Sequence, residues 1–144
     1  MPEMITKNYS AGETIYHYND PPEKIYLIHN GEVMIKSKLG LILGTLVEGE
    51  MFGEVGPIIE APRTVNAIAK TNCTLREIDN RNLQNKLNSA DPVLTGIIRG
   101  LSLRIGDANA LAEKYWQELS VYKSLEKWIL CSFLWTDIKY IIIH

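Results

Sequence analysis

The chain has 144 residues, 46 % hydrophobic and 22 % charged, a balance that suits one globular domain with a single core and excludes a low-complexity chain. Fifteen basic against 17 acidic side chains leave a net charge of −2, which argues against a general nucleic-acid surface built on clustered lysine and arginine. The start, Met-Pro-Glu-Met-Ile-Thr-Lys, lacks the apolar core of a secretory leader, so a cytoplasmic location is expected. The two cysteines, Cys73 and Cys131, read as free thiols and are too few for an iron–sulfur cluster.

Residues 5–79 read as short strands separated by turns. Residues 9–13 form a turn, and residues 14–18 are aromatic and β-branched, as a strand requires. Asn19-Asp20-Pro21-Pro22 breaks that strand. Residues 24–29 alternate, Asn30-Gly31 has the composition of a two-residue turn, and residues 32–37 alternate again, so a hairpin is expected here. Leu39-Gly40 turns the chain into residues 41–47, and Glu48-Gly49-Glu50 turns it once more. Residues 64–69 and 73–78 are expected to form a last pair around Lys70-Thr71-Asn72. Short strands at regular intervals indicate a sandwich or roll.

The stretch with the most chemistry lies between these runs: Gly49-Glu50-Met51-Phe52-Gly53-Glu54, a short helical segment over residues 54–59, then Pro62-Arg63-Thr64-Val65. Gly53 lets a ligand approach the backbone closely. The free N–H groups opening a helical turn make an anion seat, and Pro57 is tolerated where a first turn needs no N–H. Arg63 offers a planar fork that matches a phosphate, and Thr64 adds a hydroxyl beside it. An ionised Glu54 only accepts hydrogen bonds, so it needs donors such as ribose hydroxyls. The set describes a site for a sugar joined to a phosphate diester. A Glu and an Arg nine residues apart are also compatible with a surface pair worth under ~1 kcal/mol.

Helices follow. Residues 80–87 read as a short amphipathic helix, and Asp91 with Pro92 supplies a helix cap and first position. Leu94, Leu101, Ala108, Tyr115 and Tyr122 then fall seven apart, with Ile98, Ile105, Ala112 and Leu119 four after each of the first four. That stripe suits a long helix packing on its twin across a homodimer, or on the roll of its own chain. Gly96, Gly100 and Gly106 weaken the helix at roughly 1 kcal/mol each against Ala, and Gly106-Asp107 is the expected bend. Residues 127–144 form an apolar tail of unassigned role, too short and too interrupted by Asp137 and Lys139 to span a bilayer. His17, His29 and His144 have no partner at ligand spacing, so neither metal nor haem is expected. No nucleophile–base set and no carboxylate pair is placed for catalysis, so an enzyme is not expected.

Gly49 to Glu54 followed by Pro62-Arg63-Thr64 resembles the phosphate-binding cassette of cyclic nucleotide-binding domains, a family that includes the ligand domains of catabolite-activator-type regulators, cyclic-nucleotide-dependent kinases and gated channels. The resemblance covers residues 9–112. It implies a mainly β fold with C-terminal helices: a double-stranded β-helix or jelly-roll β-roll, then a short helix and a long amphipathic one. It implies that Glu54 binds the ribose 2′-hydroxyl and Arg63 the cyclic phosphate. Phe52, Gly53, Val55, Pro62, Thr64 and Val65 complete the ligand set. Val65 stands where the family usually has Ala. The long helix of the family covers the base, which makes Asn109 the polar candidate at a purine edge and Trp116 a stacking candidate, with solvent and packing roles as the alternatives.

The expected ligand is cAMP, or cGMP, since the Arg-Thr pair resembles cGMP-binding members and also occurs in cAMP-binding ones. The organisation expected is residues 1–90 as the ligand-binding roll with its short following helix, 91–126 as the lid and dimer helix, and 127–144 as the tail. The 25 residues after Leu119 are too few for the winged helix-turn-helix of the family's regulators, so direct DNA reading is not expected. Output would pass to an unidentified protein. The alternatives are a ligand-free dimerisation module with a degenerate pocket, and the sensor fragment of a Crp/Fnr-type regulator or a channel.

Overall fold

The computed structural model describes residues 4–143, with side chains to residue 134. His144 and the side chains of the last part of the tail lie outside the described residues. The strands are β1 (Ile5–Tyr9), β2 (Thr14–Tyr16), β3 (Lys24–Asn30), β4 (Val33–Lys36), β5 (Ile42–Leu46), β6 (Met51–Phe52), β7 (Asn66–Ala69) and β8 (Cys73–Asp79). The helices are α1 (Val55–Ile59), α2 (Asn80–Ser89) and α3 (Pro92–Ile143). The chain divides into two compact units, Met1–Ala110 and Leu111–His144, and the division falls within α3.

Two antiparallel four-stranded sheets build the first unit, in the orders β1-β8-β3-β6 and β2-β7-β4-β5. The chain changes sheet at every connection between successive strands except β4–β5, which makes the fold a jelly-roll β-roll followed by helices. That topology corrects two expectations. Asn30-Gly31 does not close a hairpin: β3 pairs with β8 and β6, while β4 pairs with β5 and β7. Nor do β7 and β8 pair around residues 70–72, because they lie in opposite sheets.

Both turns are corners, and the corners bond to each other. Lys70 and Thr71 donate their N–H groups to the Glu32 carbonyl at 2.9 and 3.4 Å, and the Glu32 N–H donates to Thr71 Oγ1 at 3.0 Å. Gly31 sits at φ +94°, and a Cβ there would lie 2.5 Å from the Asn72 carbonyl oxygen. The glycine is demanded by this contact between corners rather than by a hairpin. The one local hairpin of the pair β4–β5 turns at residues 37–41, where the Ser37 N–H donates to the Leu41 carbonyl at 2.8 Å.

The core lies between the sheets. Tyr9, Tyr16, Tyr26, Ile28, Val33, Phe52, Ala67, Ala69, Cys73 and Leu75 form one buried cluster. In β8 the period-two alternation turns Cys73, Leu75 and Glu77 inward. Glu77 is therefore a buried carboxylate, and it accepts from Tyr9 Oη at 2.9 Å and from Lys24 Nζ. Strand β2 ends at Tyr16 instead of residue 18 because Asp20 Oδ2 takes the His17 N–H at 2.8 Å and starts a turn with Asn19 at φ +70°.

The helix starts follow their caps. Asp79 accepts from the Arg81 N–H at 2.8 Å, and Asp91 Oδ1 accepts from the Val93 N–H at 2.8 Å with Pro92 at the first helical position. The expected helix end near residue 126 is not observed: α3 runs to Ile143. No Gly or Pro follows Gly106, so nothing in the sequence stops it. In the second unit Leu111, Tyr115, Leu119, Tyr122, Leu125 and Trp128 are all exposed. Among the described residues no helix is long and apolar enough to cross a membrane.

Candidate functional site

A cleft of about 180 Å³ opens in the first unit, bordered by β2, β4, β5, the β6–α1 junction, residues 63–65 and α3. Eight of the residues singled out in the sequence border it: Phe52, Gly53, Glu54, Val55, Arg63, Thr64, Val65 and Asn109. The ninth, Pro62, is exposed and does not border it. Phe52 serves two ends, since its side chain is buried and stacks on Tyr26 at 5.0 Å between ring centroids. Tyr16, Ile35, Leu46, Met51, Gly56 and Ile105 also border the cleft and were not named from sequence. Tyr16, Ile35 and Leu46 carried only the signal of strand residues, which does not say which face encloses a hollow; Met51 belonged to the Gly49-to-Glu54 run and Ile105 to the heptad stripe.

Arg63 is the most constrained of the set. Its residue is 4 % exposed. One terminal nitrogen, Nη1, donates to the Gly53 carbonyl and the other, Nη2, to the Lys24 carbonyl, both at 2.5 Å. The guanidinium carbon lies 4.2 Å from the Tyr16 ring centroid and 5.9 Å from that of Tyr26. Nε is buried without a partner. A guanidinium carries five N–H donors, so Nε and one hydrogen on each terminal nitrogen are left for an acceptor. Gly53, at φ +79°, makes room for this arrangement: a Cβ there would lie 3.0 Å from Arg63 Nη1 and 3.2 Å from Tyr26.

The electrostatics follow from burial. Tyr16 has its phenol pushed up by burial; the Arg63 cation opposes that rise and the Glu54 carboxylate adds to it. Tyr26 is likewise raised by burial and eased by Arg63. The tyrosines around the guanidinium are therefore neutral, and the formal charges at the cleft are Arg63 and Glu54. Glu54 precedes α1 but makes no side-chain cap, which leaves its carboxylate for other donors. Among the described residues no cluster of three or more His, Cys, Asp or Glu could hold a metal ion.

The sequence pattern of the cyclic nucleotide-binding domain matches residues 6–90. The chain belongs to the cyclic nucleotide-binding domain family. A curated relative is the cAMP-dependent protein kinase regulatory subunit of Pyricularia oryzae, 26 % identical over 92 residues, which are 63 % of this chain and 24 % of the relative. Among solved structures, the cAMP-bound form of the EAL enzyme Bd1971 superposes with a TM-score of 0.67 at 24 % identity, over 83 % of this chain and 33 % of that one. Its cGMP-bound form gives 0.66 at 26 % identity, over 71 % and 28 %. This cyclic nucleotide-binding domain thus spans a quarter to a third of the length of these three relatives. The family match ends at residue 90, so Asn109 and the rest of α3 lie beyond it.

Proposed function

We propose that this domain binds a cyclic nucleotide, cAMP or cGMP, and passes occupancy on through its helices. The observation that carries the reading is the convergence of Glu54, Arg63, Thr64 and Val65 on one cleft in a chain of this family. A neighbour of the same fold has been solved with cAMP and with cGMP, which keeps both ligands in play.

In this reading Arg63 meets the cyclic phosphate with its remaining N–H donors, assisted by backbone N–H groups at Gly53 and Val65. Glu54 accepts from the ribose 2′-hydroxyl, a charge-assisted bond worth about 1.5–3 kcal/mol. Asn109 reaches the purine edge. The helices shift to cover the base, and the signal is the difference in affinity between their open and closed arrangements, typically ~1–3 kcal/mol of coupling. A homodimer formed through the stripe of α3 carries that signal to a downstream protein, with no catalysis and no direct DNA contact by this segment. The cytoplasm, where cyclic nucleotides act, is the location that suits it.

Calorimetric titration with cAMP and cGMP tests this. Arg63→Ala is expected to weaken binding at least tenfold, or about 1.4 kcal/mol. Unchanged affinity would remove Arg63 from the site. A second reading, a ligand-free module with a degenerate pocket, is favoured by one observation: both terminal nitrogens of Arg63 are already tied to backbone carbonyls. Absence of heat with either nucleotide would select it.

A further inference from the structure

The carbonyls of Gly53 and Lys24 fix where the two ends of the Arg63 guanidinium lie, but two hydrogen bonds in a plane do not stop the plane from tilting. Its central carbon lies over aromatic rings. Tyr16 is 4.2 Å from the guanidinium carbon, within stacking range, and Tyr26 is 5.9 Å away at the margin. The Tyr16 ring is itself held at 5.9 Å from Tyr26 and 6.2 Å from Phe52, and Tyr26 stacks on Phe52 with 15° between planes. It is 7 % exposed, at the inward-facing end of β2. At the Nη1 end of the guanidinium, the backbone of Gly53 comes so close that a Cβ there would lie 3.0 Å from Arg63 Nη1, 3.2 Å from Tyr26 and 3.4 Å from Tyr16.

We infer that Tyr16 is a positioning residue: its ring is the platform that holds the Arg63 guanidinium in the plane from which it meets an anionic phosphate diester. The inference rests on the cyclic-nucleotide reading above and goes beyond it, because it assigns binding affinity to a side chain on a strand forty-seven positions from the arginine in sequence. Because burial keeps the phenol neutral, the ring acts through its electron-rich face and not through a phenolate charge. The attraction scales with the electron density of the ring. Pre-set orientation matters for binding because ordering a long side chain at the moment of association opposes it. Without the platform Arg63 would still carry its charge and its two backbone bonds, but the face of its plane would be free to tilt.

A merely structural role for Tyr16 depends on ring shape alone, so the test varies ring electrons at nearly constant shape. Tyr16→Phe is compared with mono-, di- and trifluorinated phenylalanines placed at the same position, with cAMP and cGMP affinity measured by calorimetry on the intact chain and folding checked by thermal melting. Affinity is expected to fall stepwise along the fluorine series to at least fivefold below Tyr16→Phe, the reference of the series. In an Arg63→Met background the series is expected to be flat. A flat series with Arg63 present, or an equal slope in both backgrounds, overturns the platform role while leaving the cyclic-nucleotide reading standing. Absence of binding by the wild type overturns both. Tyr16→Leu is not needed, so a core variant that fails to fold does not decide the question.

Discussion

Glu77 shows how a single residue can violate the sequence pattern and still fold. Its position on β8 is an inward one, equivalent to Cys73 and Leu75. Burial pushes its carboxyl pKa up, but the hydrogen bonds from Lys24 and Tyr9 outweigh that and leave it below the ordinary carboxylate value. A carboxyl lowered in the folded state binds fewer protons there than when unfolded, so it stabilises the fold above the unfolded pKa and loses that contribution as pH falls through the folded one. Stability measured by chemical denaturation is therefore expected to be level in the neutral range and to decline as acid is added below the ordinary carboxylate range, with Glu77→Gln showing a shallower decline. An identical acid limb in the variant would mean that other carboxylates set it. The Lys24 backbone carbonyl also receives Arg63 Nη2, so this cluster and the candidate site share a strand residue.

Among the elements, the corners decide the topology. Asn30-Gly31 and Lys70-Thr71-Asn72 each read as hairpin turns, and each instead carries the chain from one sheet to the other. Local composition could not separate the two cases, since Gly at positive φ serves a tight turn and a crowded corner alike. The difference is testable by comparing glycines of similar conformation. Gly31 and Gly40 have φ of +94° and +96°, but a Cβ at Gly31 meets the Asn72 carbonyl oxygen at 2.5 Å whereas Gly40 has nothing within 4 Å. Gly40→Ala is expected to destabilise by about 1 kcal/mol from backbone strain alone, and Gly31→Ala by about 2 kcal/mol or more, read as a shift of the urea midpoint at constant slope. Equal losses would show that the contact between corners relaxes freely.

For the whole molecule, the open question is what meets the apolar side chains of the second unit. Tyr115 and Leu119 are exposed and belong to the stripe that the sequence places seven and four residues apart. A helix whose apolar residues lie in water lacks the burial that normally stabilises it, and pairing with a second copy would provide it. Sedimentation of the wild type is expected to give a dimer, and Tyr115→Glu combined with Leu119→Glu a monomer. Because neither residue borders the cleft, nucleotide affinity is expected to stay within about twofold. A wild-type monomer would leave the stripe to another partner.

The sequence by itself determined most of the elements of this cyclic nucleotide-binding domain, though not β1 or β6, and most of the residues around its cleft. Helix caps at Asp79 and Asp91, alternation in β3 and β4, and the run from Gly49 to Val65 are local properties, and local chemistry is written in neighbouring residues. Tertiary structure alone decided which strands pair and that Tyr16 and Tyr26 flank Arg63, since each depends on contacts between residues far apart in the chain. The period of a strand tells which side chains share a face; only the closed roll says what that face is turned toward.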